Sequence, residues 1–227
     1  MDRIYEGLLG ETPFYVTTLQ LHHLQAILTL QQEVYEALPD QSILQPLSTE
    51  EFEYILQGNG LMIGAYVDNE LVGFRALLHP PVDEDHLGYD CAIPEEQFHR
   101  VLYQEISNVS PHYRGYGLQK TLASIVMKEI DLASYDYVCS TVKPYNIPSL
   151  KDKFSQGLVI KGLKIKYVDK LRYIFYKDLQ QEQQPQYIDK KAVSMRDTAL
   201  QQQLLKEGYT GTSMYEEQNE WFVVYEK

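Results

Sequence analysis

The stretch "VSPHYRGYGLQKTL", residues 109–122, constrains the fold more than any other part of the chain. Before it lies a β-rich run, "FHRVLYQEISNVS" at 98–110, that reads as a strand. After it Leu118, Leu122, Ile125, Val126, Ile130 and Ala133 recur at helical spacing and predict a helix over 117–134. Pro111 stops the strand, and Gly115 and Gly117 flank a single tyrosine, so strand passes to helix through a turn of unusual backbone freedom. The first N–H groups of a helix have no partner within it, and the helix dipole makes that end positive. A strand, a glycine turn and a helix N-terminus together form a candidate anion site, most naturally for phosphate. Arg114 adds a charge able to pair with phosphate. A tight turn that binds nothing accounts for R-G-x-G equally well. The stretch is not a Walker loop, because no Gly-Lys-Ser/Thr follows. Nor is it G-x-G-x-x-G, because Lys120 stands three residues after Gly117.

Strand and helix patterns alternate around this turn. "FYVTTL" at 14–19 reads as a first strand, and Leu21, Leu24, Ile27, Leu28, Tyr35 and Leu38 form a helix face that ends near Pro39. Ser48 or Thr49 caps a second helix over 49–57, closed by Gly58. Residues 61–79 read as an antiparallel hairpin turning at Asp68-Asn69-Glu70. A long polar loop with one turn of helix is expected over 80–97. Beyond the motif come a strand at 137–142, a helix at 147–157 and the strands "VIKGLKIKYV" and "KLRYIFYKDL". The linker-like "QQEQQPQ" at 180–186 precedes a helix over 195–206 and a strand over 220–226. The pattern is that of one α/β (α+β) domain over 1–179 with a small α/β extension over 180–227.

The totals narrow the function. A chain of 227 residues with 44% hydrophobic and 23% charged residues has an ordinary globular balance, and no run is long and apolar enough to span a membrane. The N-terminus carries no signal-peptide pattern, and two cysteines suit a reducing cytoplasm rather than a disulfide scaffold. The net charge of −12 argues against nucleic acid as a general partner and is compatible with a cationic amine acceptor, although solubility alone explains it as well. His22, His23, His79, His86, His99 and His112 show no metal-ligand spacing, so no metal is expected.

The motif resembles the acetyl-CoA signature of the GNAT N-acetyltransferase superfamily, Arg/Gln-x-x-Gly-x-Gly/Ala after a strand ending V-x-P. Val109, Pro111, Arg114, Gly115, Gly117 and Leu118 match, while Gln119 replaces the final small residue, as in a bacterial "RGxGLQ" branch. A second block, "NIPSLKDKFSQGL", is similar to the superfamily's N-x-x-A/S helix start through Asn146, Ser149 and Gly157, with Leu158 where Phe is usual. The resemblance covers roughly residues 13–179. It implies a central mixed, mostly antiparallel sheet, splayed at the cofactor and flanked by helices. It also implies acetyl transfer from acetyl-CoA to an amine, with the pyrophosphate held by backbone N–H groups from Arg114 through Gly115, Tyr116, Gly117, Leu118 and Gln119 to Lys120. The strand at Asn108 and Val109 would pair with the pantetheine arm, and Asn146 and Ser149 would touch the cofactor.

The resemblance also puts a general base on the motif strand, where Glu105 is the candidate and Tyr103 and His99 are weaker ones. A solvent-facing strand residue is the plain alternative. The tyrosine that often protonates the departing thiolate is replaced here by Lys153. Asp83, Glu84 and Asp85 either rim an acceptor cleft or form a solvated loop. Three functions remain: transfer to a small-molecule amine, transfer to a protein lysine or N-terminus, and non-catalytic acyl-CoA binding.

Overall fold

A computed structural model describes residues 2–41, 44–167, 169–181 and 186–227. In chain order its elements are β1 (Arg3–Leu9), β2 (Thr12–Thr18), α1 (Leu24–Glu36), α2 (Thr49–Leu56), β3 (Gly60–Val67), β4 (Glu70–Leu78), α3 (Leu87–Asp90) and β5 (Val101–Val109). There follow α4 (Leu118–Lys128), β6 (Tyr137–Val142), α5 (Ile147–Ser155), β7 (Val159–Lys166), β8 (Lys170–Asp178), β9 (Lys190–Ser194), α6 (Thr198–Lys206), β10 (Thr210–Glu217) and β11 (Glu220–Glu226). The chain forms two compact units, Met1–Pro80 with Leu102–Asp131, and Pro81–Val101 with Leu132–Lys227.

In the first unit, β1 to β5 lie in sequence order and every ladder is antiparallel. The hairpin turn is Asp68-Asn69 with φ of 49° and 65°, the left-handed pair that a tight hairpin needs. Strand alternation then sorts β4 by face. Phe74 and Ala76 join Ile27, Leu30, Val34, Phe52, Ile55 and Ile106 in one buried cluster, so α1 and α2 cover that face. On the other face Leu118 and Leu122 of α4 lie against Gly73, where a Cβ would come within 3.1 Å of the Leu118 side chain. Ser48 and Glu51 form the capping box that starts α2.

In the second unit the strand order is β6-β8-β7-β10-β11-β9, again with antiparallel ladders. The C-terminal segment joins this sheet through β10, where Gly211 pairs with Ile160. Its anchor is Gln201 of α6, which is fully buried and accepts hydrogen bonds from the hydroxyls of Tyr173 (2.7 Å) and Tyr225 (2.9 Å).

Several boundaries differ from the sequence reading. β1 is not visible as alternation, because its register slips between Arg3 and Tyr5 and puts adjacent Ile4 and Tyr5 out of phase. β9 and β10 are polar and largely exposed, so they carry no apolar period. α4 stops at Lys128, short of residue 134: Ile130 is buried at helical spacing although the helix has already ended at the Glu129 cap. β5 starts at Val101 because Glu95–Arg100 form a 3-10 turn. Part of the 180–186 linker lies outside the described residues.

Candidate functional site

The turn after β5 is built in steps. Ser110 still pairs with β4, its N–H donating to the Val72 carbonyl at 2.9 Å. Its hydroxyl donates to Glu33 Oε1 of α1 at 2.7 Å, which fixes where the strand ends. Pro111–Tyr113 form a single 3-10 turn, and Arg114 then returns to extended backbone. Gly115 and Gly117 follow at φ of 85° and 75°, in the left-handed region that disfavours side chains. A Cβ added at either glycine meets no atom of the described residues within 4 Å, so packing does not require glycine there. Gly117 is the N-cap of α4, and no side chain caps that end. The first intrahelical bond is from Thr121 N–H to the Gly117 carbonyl, 3.0 Å, which leaves the N–H groups of Leu118, Gln119 and Lys120 ahead of the ladder. Arg114 and Tyr116 are exposed, Leu118 is buried under the helix, and Lys120 points to solvent. Among the described residues the Arg114 guanidinium makes no ion pair. The result is an exposed, uncapped positive helix end beside open glycine backbone.

On β5, Asn108 pairs with Phe74 and therefore shares the face covered by α1. It is 1% exposed, yet among the described residues neither its amide oxygen nor its amide nitrogen has a hydrogen-bond partner. An unsatisfied buried amide is costly, so this is a position where a ligand or an ordered water gains free energy by binding. Val109 next to it is half-buried. Glu105 is exposed, and it is the extra residue at a bulge: Ala76 pairs with Ile106 and Leu77 with Gln104, so Glu105 has no opposite number. A bulge turns its side chain out of the regular alternation. Tyr103 is half-buried on the same strand, and His99 sits in the 3-10 turn before it.

In the second unit, Asn146 is the N-cap of α5, its side-chain oxygen accepting from Ser149 N–H at 3.3 Å. That bond occupies the Asn146 oxygen and leaves its NH2 group and the Ser149 hydroxyl open to a ligand. Lys153 is 7% exposed and pairs with Asp152 at 3.6 Å, so an ammonium, held by a carboxylate, stands where the family resemblance implies a tyrosine. Asp83, Glu84 and Asp85 are exposed, with Asp85 N–H donating to Asp83 Oδ1 at 3.0 Å.

Comparison with solved structures decides the fold. A GNAT-family acetyltransferase from Listeria monocytogenes superposes with a TM-score of 0.57 at 17% identity, over 77% of this chain and 100% of its own. A Salmonella typhimurium protein solved with its cofactor acetyl-CoA gives 0.55 at 12% identity, over 76% and 98%. A ribosomal-protein-alanine N-acetyltransferase from Brucella melitensis gives 0.53 at 16% identity, over 72% and 99%. The fold is that of the GNAT acetyltransferases. No protein-family model and no curated protein matches the sequence.

Two features of this GNAT fold escaped the sequence reading. The Glu33–Ser110 bond spans 77 residues, and nothing local to α1 announces it. Arg75 is 1% exposed beneath α4, with Nη2 donating to Gln104 Oε1 at 2.7 Å, while Gln104 Nε2 donates to Met127 Sδ at 3.4 Å. Strand alternation predicts an inward position for Arg75, but an arginine there reads as exposed by composition. Tyr145 directly precedes the α5 N-cap Asn146. It holds φ of 66° and is 50% exposed, a strained backbone that presents its ring to solvent. Among the described residues no helix is long and apolar enough to cross a membrane, and no three His, Cys, Asp or Glu side chains gather as a metal site.

Proposed function

We propose that this protein transfers the acetyl group of acetyl-CoA directly to an amine of a small-molecule acceptor. The observation that carries the reading is the turn at 114–120: two left-handed glycines with open space at their Cβ positions lead into an uncapped helix. Such a cradle suits a pyrophosphate, with the backbone N–H groups from Arg114 to Lys120 as donors and Arg114 as counter-charge. The GNAT fold supports it, and so does the partnerless buried amide of Asn108.

Acetyl-CoA, when bound, supplies a thioester carbonyl carbon open to nucleophilic attack. The β5 backbone near Asn108 and Val109 aligns the donor's amide-bearing arm as an added strand would, and its N–H groups polarise the carbonyl. Asn146 and Ser149, at the start of α5 in the second unit, are cofactor contacts in this proposal by their place in the N-x-x-S block. Glu105 accepts the proton that an ammonium must lose before its nitrogen has a lone pair. The new bond is C–N, the bond lost is C–S, and the thiolate leaves without a tyrosine acid, as its modest basicity allows. The net charge of −12 favours a cationic acceptor over nucleic acid, and the two free thiols fit a cytoplasmic setting.

A protein N-terminus or lysine as acceptor is the second reading, supported by the Brucella melitensis enzyme named for ribosomal-protein alanine. The test is release of CoA thiol from acetyl-CoA over a panel of small amines and short peptides, beside calorimetric binding of CoA. Acceptor-dependent thiol release with small amines is the expected result, and peptides alone as acceptors would favour the second reading. CoA affinity without acceptor-dependent release in any case would make the protein a binding module.

A further inference from the structure

The chain's two cysteines lie 48 residues apart in sequence, yet their sulfurs are 3.8 Å apart. Both are free thiols, and both belong to the second unit. Cys139 is in the middle of β6, opposite Tyr176 of β8. Cys91 is the C-cap of α3, where its N–H bonds to the carbonyls of Leu87 (3.1 Å) and Gly88 (3.2 Å). Asp90, immediately before it, is held by Lys164 (2.6 Å) and Lys166 (2.7 Å) of β7, so α3 is anchored to the same sheet that carries Cys139. The sulfurs are therefore brought together by fixed elements on both sides. A disulfide needs about 2.05 Å between sulfurs, so each has to move by about 1 Å, within the reach of side-chain rotation.

We propose that Cys91 and Cys139 form an oxidation site that closes to a disulfide when a water-sized peroxide reaches it. The order of events follows from exposure: Cys91 is 8% exposed and Cys139 is fully buried. The Cys91 sulfur, giving up its proton, attacks one peroxide oxygen. The O–O bond breaks, and the departing hydroxide takes up a proton as water, which leaves Cys91 as a sulfenic acid. The Cys139 sulfur then attacks the Cys91 sulfur, the S–O bond breaks, and the Cys139 proton leaves with the oxygen as a second water. Two thiols lose two electrons and two protons, and one peroxide becomes two waters. The hydrogen bond with Cys91, burial and the nearby Asp90 charge push the Cys139 thiol well up. It therefore waits as a protonated resolving thiol and is spared direct oxidation.

The experiment treats the folded full-length chain with hydrogen peroxide, then unfolds it in an alkylating agent and weighs it. The expected result is loss of both titratable thiols and of the mass of two hydrogens. A proteolytic peptide should join the segments around Cys91 and Cys139, and dithiothreitol should restore both thiols. In Cys139→Ser, the same dose should add oxygen to Cys91. In Cys91→Ser, Cys139 should stay a thiol. The parent chain by itself decides the question. Two thiols remaining after excess peroxide, or oxygen added to either cysteine without a cross-link, would overturn the proposal.

Discussion

Gln201→Leu is the substitution that most directly tests how the C-terminal segment is held. Gln201 is 0% exposed and makes four hydrogen bonds. Its Oε1 accepts from Tyr173 (2.7 Å) and Tyr225 (2.9 Å), and its Nε2 donates to the carbonyls of Ser194 (3.2 Å) and Met195 (3.1 Å). Burial drives the hydroxyl pKa of both tyrosines upward, so they remain donors across the accessible pH range. Leucine fills similar volume and removes every bond, stranding two buried hydroxyls and the Met195 carbonyl, while the Ser194 carbonyl keeps the Asp197 N–H at 3.0 Å. At about 1–3 kcal/mol for each unsatisfied buried group, the hydroxyls alone cost about 2–6 kcal/mol. Trp221, the single tryptophan, lies on β11 in the same unit and reports the loss by fluorescence during urea unfolding. Removing the partners as well, in Tyr173→Phe/Gln201→Leu/Tyr225→Phe, should recover most of the deficit, because no hydroxyl is then left orphaned. A Gln201→Leu protein within about 0.5 kcal/mol of the parent would refute the reasoning.

Gly117→Val should abolish CoA binding while leaving the far-UV spectrum intact, since a side chain there enters open space and strains only the turn. Gly117→Asn, which tolerates left-handed backbone better, separates blocking from strain: calorimetry should still show lost affinity. Glu105→Gln should lower turnover by roughly 10²–10⁴ with CoA affinity nearly unchanged, and the deficit should shrink at high pH; parent-like rates at neutral pH would remove Glu105 from the mechanism. Asp136 is held below the ordinary aspartate value of 3.8 first of all by its hydrogen bonds from Arg100, with Gln180 adding to them. A depressed carboxyl stabilises the fold above its unfolded value and loses that contribution as pH falls through the folded one. Acid titration of Asp136→Asn should therefore show a stability gap to the parent at neutral pH that closes only below about pH 4; a gap constant with pH would contradict the assignment.

Much of the molecule was legible because its signals are local. Asp68-Asn69 can hold the left-handed pair of a hairpin turn, Ser48 and Glu51 make a capping box within four residues, and β6 and β11 fall where their β-rich runs predict. The glycine turn was legible for the same reason, as Pro111, Gly115 and Gly117 each restrict or free their own backbone. Ile130 misled because burial, not helix, put it in phase with α4. β1, β9 and β10 were missed because a strand's hydrogen bonds come from other strands, and a polar or bulged strand leaves no period behind.

The sequence by itself determined the order of strand, glycine turn and helix, and with it an uncapped positive helix end beside open backbone. These follow from φ preferences and from which N–H groups a helix leaves free. Only the tertiary structure decided that Asn108 is buried without a partner, that Glu33 fastens Ser110, that Glu105 occupies a bulge, and that Cys91 and Cys139 touch. Each of these depends on which distant segment arrives opposite, and that is set by sheet register and core packing summed over the whole unit, which no local window of residues contains.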